Sequence, residues 1–326
     1  MLNEIELGNS GLRSPELGFG CAALLGRTGK SGSLRALDAA WDYGIRFFDT
    51  ARSYGYGESE TLLGSFLKGR RDRAIIATKF GILPAHQPAW KRVAKSVARS
   101  VLSVVPAAHS FFQRRAAGQF SPNQFTVPVL RQSIDESLRQ LRTDYVDILF
   151  LHAAPASVLE QQDLLEAMGK LVEDGKVRVA GLSAAPEVVQ QAVTRKVEPL
   201  HAMQFPCNVF DLSAALIFSG NNVSGDVLIA NHPFGGMARV EECRTILRRL
   251  AADPEIDPCL REKLGGVDDL LLAEVVFSSI LRGTGIQIVI PAMMRVEHIR
   301  TNVQAASQSR FTLSEIEQIR SALCAR

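Results

Sequence analysis

The sequence predicts an α/β chain closed into a (β/α)8 TIM barrel, with an N-terminal β-hairpin and a long insertion after the third barrel strand. Three observations carry this. Short runs of Val, Ile, Leu and Phe recur without apolar–polar alternation, as strands buried on both faces read. Amphipathic stretches fall between them, and that alternation implies a parallel sheet. Eight such units in 326 residues favour a closed barrel over an open doubly wound sheet.

The elements follow in chain order. IEL and LRSPEL flank Gly8, Asn9, Ser10 and Gly11, which predicts a hairpin covering the barrel bottom. Strands are predicted at 15–23, 45–50, 74–80, 146–152, 177–184, 201–205, 226–231 and 286–292. Helices are predicted over Ser31–Tyr43, Ser59–Leu67, Val129–Leu141, Leu159–Glu173, Glu187–Val193, Leu270–Leu281 and Val296–Ala306. Gly44, Gly69, Gly175 and Gly285 sit where helices hand over to strands, as C-terminal caps do. Gly18 and Gly20 are followed by Cys-Ala-Ala with no third glycine, so the dinucleotide fingerprint of a doubly wound fold is missing.

Composition narrows the function. Hydrophobic residues make up 46% and charged residues 22%, a globular balance. A net charge of +3, scattered along the chain, gives no footprint for nucleic acid. Five cysteines, widely spaced and without a CxxC, read as reduced thiols in a cytoplasmic protein. No secretory leader and no apolar run of about 18 residues is seen, so no membrane association is expected. Asn222-Val-Ser224 matches a glycosylation triplet and is read as chance in such a chain.

A barrel carries its chemistry at the C-terminal ends of its strands. There the sequence places Asp49, Lys79, His152, Ser183 and Gln204, with Tyr54 in the loop after the second strand. Singly, each has a plainer role as a cap, a solvated cation or a structural histidine. Together they converge on one mouth, where inward charges are tolerated only when paired. The chemistry suggested is proton donation to a carbonyl oxygen. An ammonium beside a phenol lowers its pKa, Asp49 can hold Lys79 charged, and His152 can donate a hydrogen bond to the reacting oxygen. No metal cluster is read in the sequence.

DTARSYGYGESE, ATKF, DYVDILFLH, GLSA, MQF and IPAMMRVEHIRTN, in that order over nearly the whole chain, resemble an aldo-keto reductase. The resemblance implies a catalytic tetrad of Tyr54, Asp49, Lys79 and His152. It implies a nicotinamide cofactor lying extended across the barrel mouth, touched by Cys21, Asp49, Ser183, Gln204, Asn231, His232, Gly235, Arg295, His298 and Asn302. The guanidinium of Arg295 favours NADP over NAD. The substrate implied is a small-molecule carbonyl or alcohol, and a monomer is the expected state.

Three places depart from the family pattern. Ala184 follows Ser183 where Asn is usual, Asn231 stands where an aromatic commonly stacks on the nicotinamide, and Ala292-Met293-Met294 replaces small or polar residues. His232 or Phe234 is a substitute for the missing stack. Residues 1–326 read as one barrel domain, with the insertion 81–128 as a lid. No Asp or Glu occurs from Arg73 to Ile134, and Trp90, Val93, Ala94, Val97, Val101 and Val104 recur at helical spacing. A structural excursion on the barrel side, and docking on a membrane surface or an anionic partner by a basic amphipathic helix, are the other readings of this insert. Two alternative functions are carried forward: an NAD(P)-dependent aldose 1-dehydrogenase, and a nicotinamide-sensing or partner-binding module with vestigial catalysis.

Overall fold

The computed structural model describes residues 2–84, 120–121, 124–213, 215 and 225–324. Its first element is the predicted hairpin, β1 (Glu4–Leu7) and β2 (Leu12–Pro15), antiparallel with Leu7 opposite Leu12. A Cβ on Gly8 would lie 2.3 Å from the Gly225 carbonyl oxygen, and φ there is +50°, so only glycine lets the turn approach that backbone. Leu7 and Leu12 are buried with Phe47, Ile75, Val227 and Ile288, all first or second residues of barrel strands. The hairpin therefore plugs the N-terminal end.

The barrel strands are β3 (Gly18–Gly20), β4 (Phe47–Asp49) and β5 (Ile75–Phe80), then β8 (Val146–His152), β9 (Val177–Ser183), β10 (Leu200–Pro206), β11 (Val227–Asn231) and β12 (Ile288–Ile290). Short β6 (Leu83–Pro84) and β7 (Phe120–Ser121) lie between β5 and β8 and pair antiparallel with each other. The eight barrel strands run in the order β12-β11-β10-β9-β8-β5-β4-β3, parallel at every join. A parallel bridge from Leu17 to Val289 closes the ring, and Val289 N donates to Glu16 O at 2.8 Å.

Strand periodicity divides the core in two. Phe47, Ile75, Ala77, Ile148, Phe150, Val179, Ala202, Ile229 and Ile290 fill the interior. Phe48, Ile76, Phe80, Leu149, Leu151, Leu182, Met203, Phe205 and Val289, of the opposite parity, pack under the helices.

The helices are α1 (Gly29–Asp42), α2 (Ser59–Phe66), α3 (Val127–Leu141), α4 (Gln162–Glu173), α5 (Pro186–Arg195), α6 (Met237–Ala252), α7 (Pro258–Lys263), α8 (Asp269–Leu281), α9 (Val296–Ser307) and α10 (Leu313–Cys324). Gly44, at φ +93°, caps α1 as predicted. Two corrections arise. The first barrel strand is shorter than 15–23, because Cys21–Ala23 turn as a 3-10 helix. α6, α7 and α10 had no predicted counterpart. Of the insertion read as a lid, residues 85–119 and 122–123, including the Trp90 to Val104 stripe, lie outside the described residues.

Candidate active site

Inward parity delivers the predicted polar residues to the C-terminal mouth. Asp49, Lys79, His152, Ser183, Gln204 and Asn231 each stand an even number of residues after an interior hydrophobic of the same strand. Lys79 is 1% exposed, and its Nζ donates to Asp49 Oδ1 at 2.5 Å and to Thr50 O at 3.0 Å. The same Asp49 oxygen accepts from Gln204 Nε2 at 2.9 Å, and Gln204 Oε1 accepts from Ser183 Oγ at 2.7 Å. The Asp49 charge is thus held by two donors, one of them an ammonium, which is what lets it stay buried. Burial works against the Lys79 ammonium, but Asp49 and Tyr54 more than offset it and raise its pKa.

Tyr54 opens a turn whose next three residues are left-handed, with φ of 58° at Gly55, 60° at Tyr56 and 86° at Gly57. A Cβ at Gly55 would lie 3.3 Å from the Leu24 carbonyl oxygen, so the glycine serves both the backbone angle and the fit. The turn swings the half-buried Tyr54 back over the mouth. Its ring stands edge-on to His152 at 5.8 Å between centroids, with Lys79 Nζ 5.0 Å from its centre. One expectation is corrected here. Lys79 does pull the phenol down, but burial outweighs it and Asp49 adds to the rise, so the Tyr54 pKa lies above its ordinary value.

Burial, aided by the Lys79 charge, lowers the His152 pKa to about 3, so the imidazole is neutral. Its Nδ1 is buried without a partner among the described residues. A consequence for stability follows. Below its unfolded value of 6.5 the unfolded chain takes up a proton that the folded site refuses until about 3. This group therefore removes stability as pH falls through that window, at about 1.4 kcal/mol per pH unit. His152→Gln should flatten that slope relative to the parent in urea unfolding between pH 6 and pH 4, the window set by the two values; identical slopes would mean the imidazole is charged when folded.

The remaining predicted contacts divide. Asn231, half-buried, presents an Oδ1 without a partner among the described residues. His232 (φ 53°) and Gly235 (φ 63°) are exposed in the loop that leads into α6, whose N-cap is Gly236. Arg295 is the exposed N-cap of α9, His298 is exposed one turn on, and Asn302 is buried with its amide donating to Met293 Sδ at 3.5 Å. Cys21 is fully buried in the turn after β3, close enough to Tyr54 to act on its pKa, with Sγ 3.9 Å from Phe19 O. Phe234, named as a substitute stack, is half-buried and sets its ring against Phe277 of α8 at 5.6 Å.

Sequence reasoning missed three residues behind the mouth, Arg52, Glu60 and Thr78. Glu60 reads as an ordinary acid in the first turn of a helix, yet it is fully buried and hydrogen-bonded to Thr78. The outward parity of Thr78, between inward Ala77 and Lys79, was the signal that could have found it.

Residues 16–323 match the model of the aldo/keto reductase family. The chain is 28% identical over 211 residues to the aldo-keto reductase YhdN of Bacillus subtilis (strain 168), covering 63% of this chain and 54% of the relative. It is 31% identical over 206 residues to the D-threo-aldose 1-dehydrogenase of Pseudomonas sp, covering 58% and 54%. The match thus spans about half the length of these curated relatives. Among solved structures, the aldo-keto reductase AKR11C1 from Bacillus halodurans in its holo form superposes with a TM-score of 0.71, over 99% of this chain and 96% of that one. At 22% identity that likeness is one of fold.

Proposed function

The chain belongs to the aldo/keto reductase family, and from that premise we propose that it interconverts a carbonyl compound and its alcohol by hydride transfer with NADP(H). The observation that carries this reading is the buried Lys79–Asp49 pair set beneath the Tyr54 ring at the mouth.

The residues present fit a nicotinamide dinucleotide. Asn231 offers an unpartnered buried acceptor, and the Ser183–Gln204 pair offers a hydroxyl and an amide beside it. These three would hold the carboxamide. The loop with positive φ at His232, Gly235 and Gly236 opens α6 with backbone N–H groups and no capping side chain, a seat for a diphosphate. Arg295 and His298, exposed at the start of α9, would hold a 2′-phosphate, with Asn302 near the adenine. When bound, the cofactor supplies or accepts the hydride.

The chain's own groups do the rest. Tyr54 Oη gives a proton to the carbonyl oxygen in reduction and takes it back in oxidation. Lys79 opposes the burial that raises the phenol's pKa. Asp49 keeps the ammonium charged and fixed, with Gln204 as its second donor. Neutral His152 orients the carbonyl by a hydrogen bond.

Single-turnover oxidation of NADPH, and separately NADH, with a small aromatic aldehyde tests the reading. Faster consumption of NADPH supports it. Consumption of neither by folded protein favours a partner-binding module. Arg295→Gln should raise the Kd for NADPH about ten- to a hundredfold and leave that for NADH within twofold, by loss of a charge-assisted pair. Equal effects on both cofactors would remove Arg295 from the 2′-phosphate. The D-threo-aldose 1-dehydrogenase relative supports a second reading, oxidation of a free aldose at its anomeric carbon with the same groups. Reduction of NADP+ or NAD+ by aldoses, without aldehyde turnover, would select it.

A further inference from the structure

Behind the mouth lies a carboxylate that the proposed chemistry leaves unused. Glu60, the second residue of α2, has no exposed surface. A carboxylate so placed needs partners. Its Oε1 accepts from Thr78 Oγ1 at 2.6 Å and its Oε2 from Arg52 Nη1 at 3.2 Å. Both partners are neighbours of the reacting groups. Thr78 immediately precedes Lys79 and faces outward where Lys79 faces in. Arg52 stands two residues before Tyr54, in the segment that follows β4, and its backbone N–H lies 3.5 Å from Lys79 O. Arg52 Nη1 is also 4.0 Å from Glu136 of α3, so the guanidinium is held from two helices.

An acid in the first turn of a helix ordinarily faces that helix's own N–H groups and solvent. Glu60 turns instead toward β5, and one carboxylate thereby joins the segment bearing the phenol to the strand bearing the ammonium. A shift of about 1 Å between reacting groups is enough to cost about a hundredfold in rate. We propose that Glu60 is a positioning residue that sets the Tyr54 turn in register with Lys79. This rests on the proton-donor role assigned to Tyr54.

The groups facing Tyr54 are Asp49 from β4, Lys79 from β5, His152 from β8 and Cys21 from the turn after β3. Lys79 lowers the phenol's pKa. Loosening the register weakens that pull, and the Tyr54 titration must then move up. The test uses full-length protein carrying tyrosine 13C-labelled at Cζ, with the Tyr54 resonance assigned by its loss in Tyr54→Phe. Glu60→Gln and Thr78→Val should each raise the Tyr54 titration by about half a pH unit. Each should lower kcat about ten- to a hundredfold and leave the Kd for NADPH within twofold. Thr78→Ser, which keeps the donor, should restore both. An unmoved titration with only a lower Tm would make Glu60 a structural residue and overturn the proposal. Should Glu60→Gln fail to fold, the near-isosteric Thr78→Val decides alone. Should the parent protein turn over no aldehyde, the reductase reading fails while the titration still decides the register.

Discussion

Replacing Tyr54 by Phe should lower turnover of a reducible aldehyde by about a hundred- to ten-thousandfold, while NADPH still binds with a Kd within twofold of the parent. The two halves of this expectation come from different parts of the structure. The ring, edge-on to His152 at 5.8 Å, survives the substitution, so the packing that shapes the mouth is kept. What is lost is the hydroxyl placed beside a buried ammonium. The proposed cofactor seat at Ser183, Gln204, Asn231 and the start of α6 is untouched. Stopped-flow hydride transfer and fluorescence titration of NADPH separate the two quantities. Turnover within threefold of the parent would remove the proton-donor role. A matching loss of cofactor affinity would mean that Tyr54 binds instead of reacts. Because burial leaves the phenol's pKa above its ordinary value, reduction should hold its rate across neutral pH. Oxidation, which needs the phenol as proton acceptor, should climb as pH rises toward that pKa.

How much of this was legible beforehand depended on which physical signal each element carries. Strand β8 occupies 146–152 as predicted, since the apolar run Ile148–Leu151 between turn signals has few other uses. Parity then did the rest: once strand ends were placed, Asp49, Lys79, His152, Ser183 and Gln204 had to face one mouth. α6 escaped because only Cys243, Leu247 and Leu250 are buried in its 16 residues, too narrow a seam to rise above its charged faces. α10 was more readable than it was read. Thr312 and Glu315 form a capping box, with the Thr312 backbone N–H donating to Glu315 at 2.7 Å and Thr312 Oγ1 accepting from Glu315 N at 3.3 Å. Ile316, Ile319 and Leu323 then fall on one buried face. Other features have no one-dimensional signature. The bond from Gln204 to Asp49 spans 155 residues. That between Thr78 and Glu60 looks locally like an unremarkable threonine and a helix-opening acid. The ring contact of Phe234, close in sequence to the proposed seat, with Phe277 of α8 is another such feature.

The buried pair gives the second large effect, and it splits stability from activity. Lys79→Met leaves Asp49, 5% exposed, with Gln204 Nε2 as its remaining side-chain donor among the described residues. Removing one partner of a buried pair costs about 3–5 kcal/mol, most of it the strain of an uncompensated charge. Adding Asp49→Asn removes that charge while keeping a carbonyl oxygen for the Gln204 amide to donate to. The double variant should therefore be more stable than Lys79→Met alone, recovering about half of the loss or more. Activity should follow the opposite logic. Both variants lack the ammonium that opposes the rise in the Tyr54 pKa, so both should lose about a hundredfold or more in kcat. The pH dependence fixes the source of the deficit. The folded pKa of Lys79 is raised above its ordinary 10.5, so its contribution is complete below that value and is lost only as pH climbs through the folded one. The gap between parent and Lys79→Met should thus stay level from neutral pH to about 10 and close only above it. Urea unfolding of parent, single and double variants at neutral pH and in the alkaline range measures all of this. A double variant no more stable than the single would show that the Asp49 charge is solvated through the open mouth, and the pair would then hold Tyr54's environment without holding the barrel.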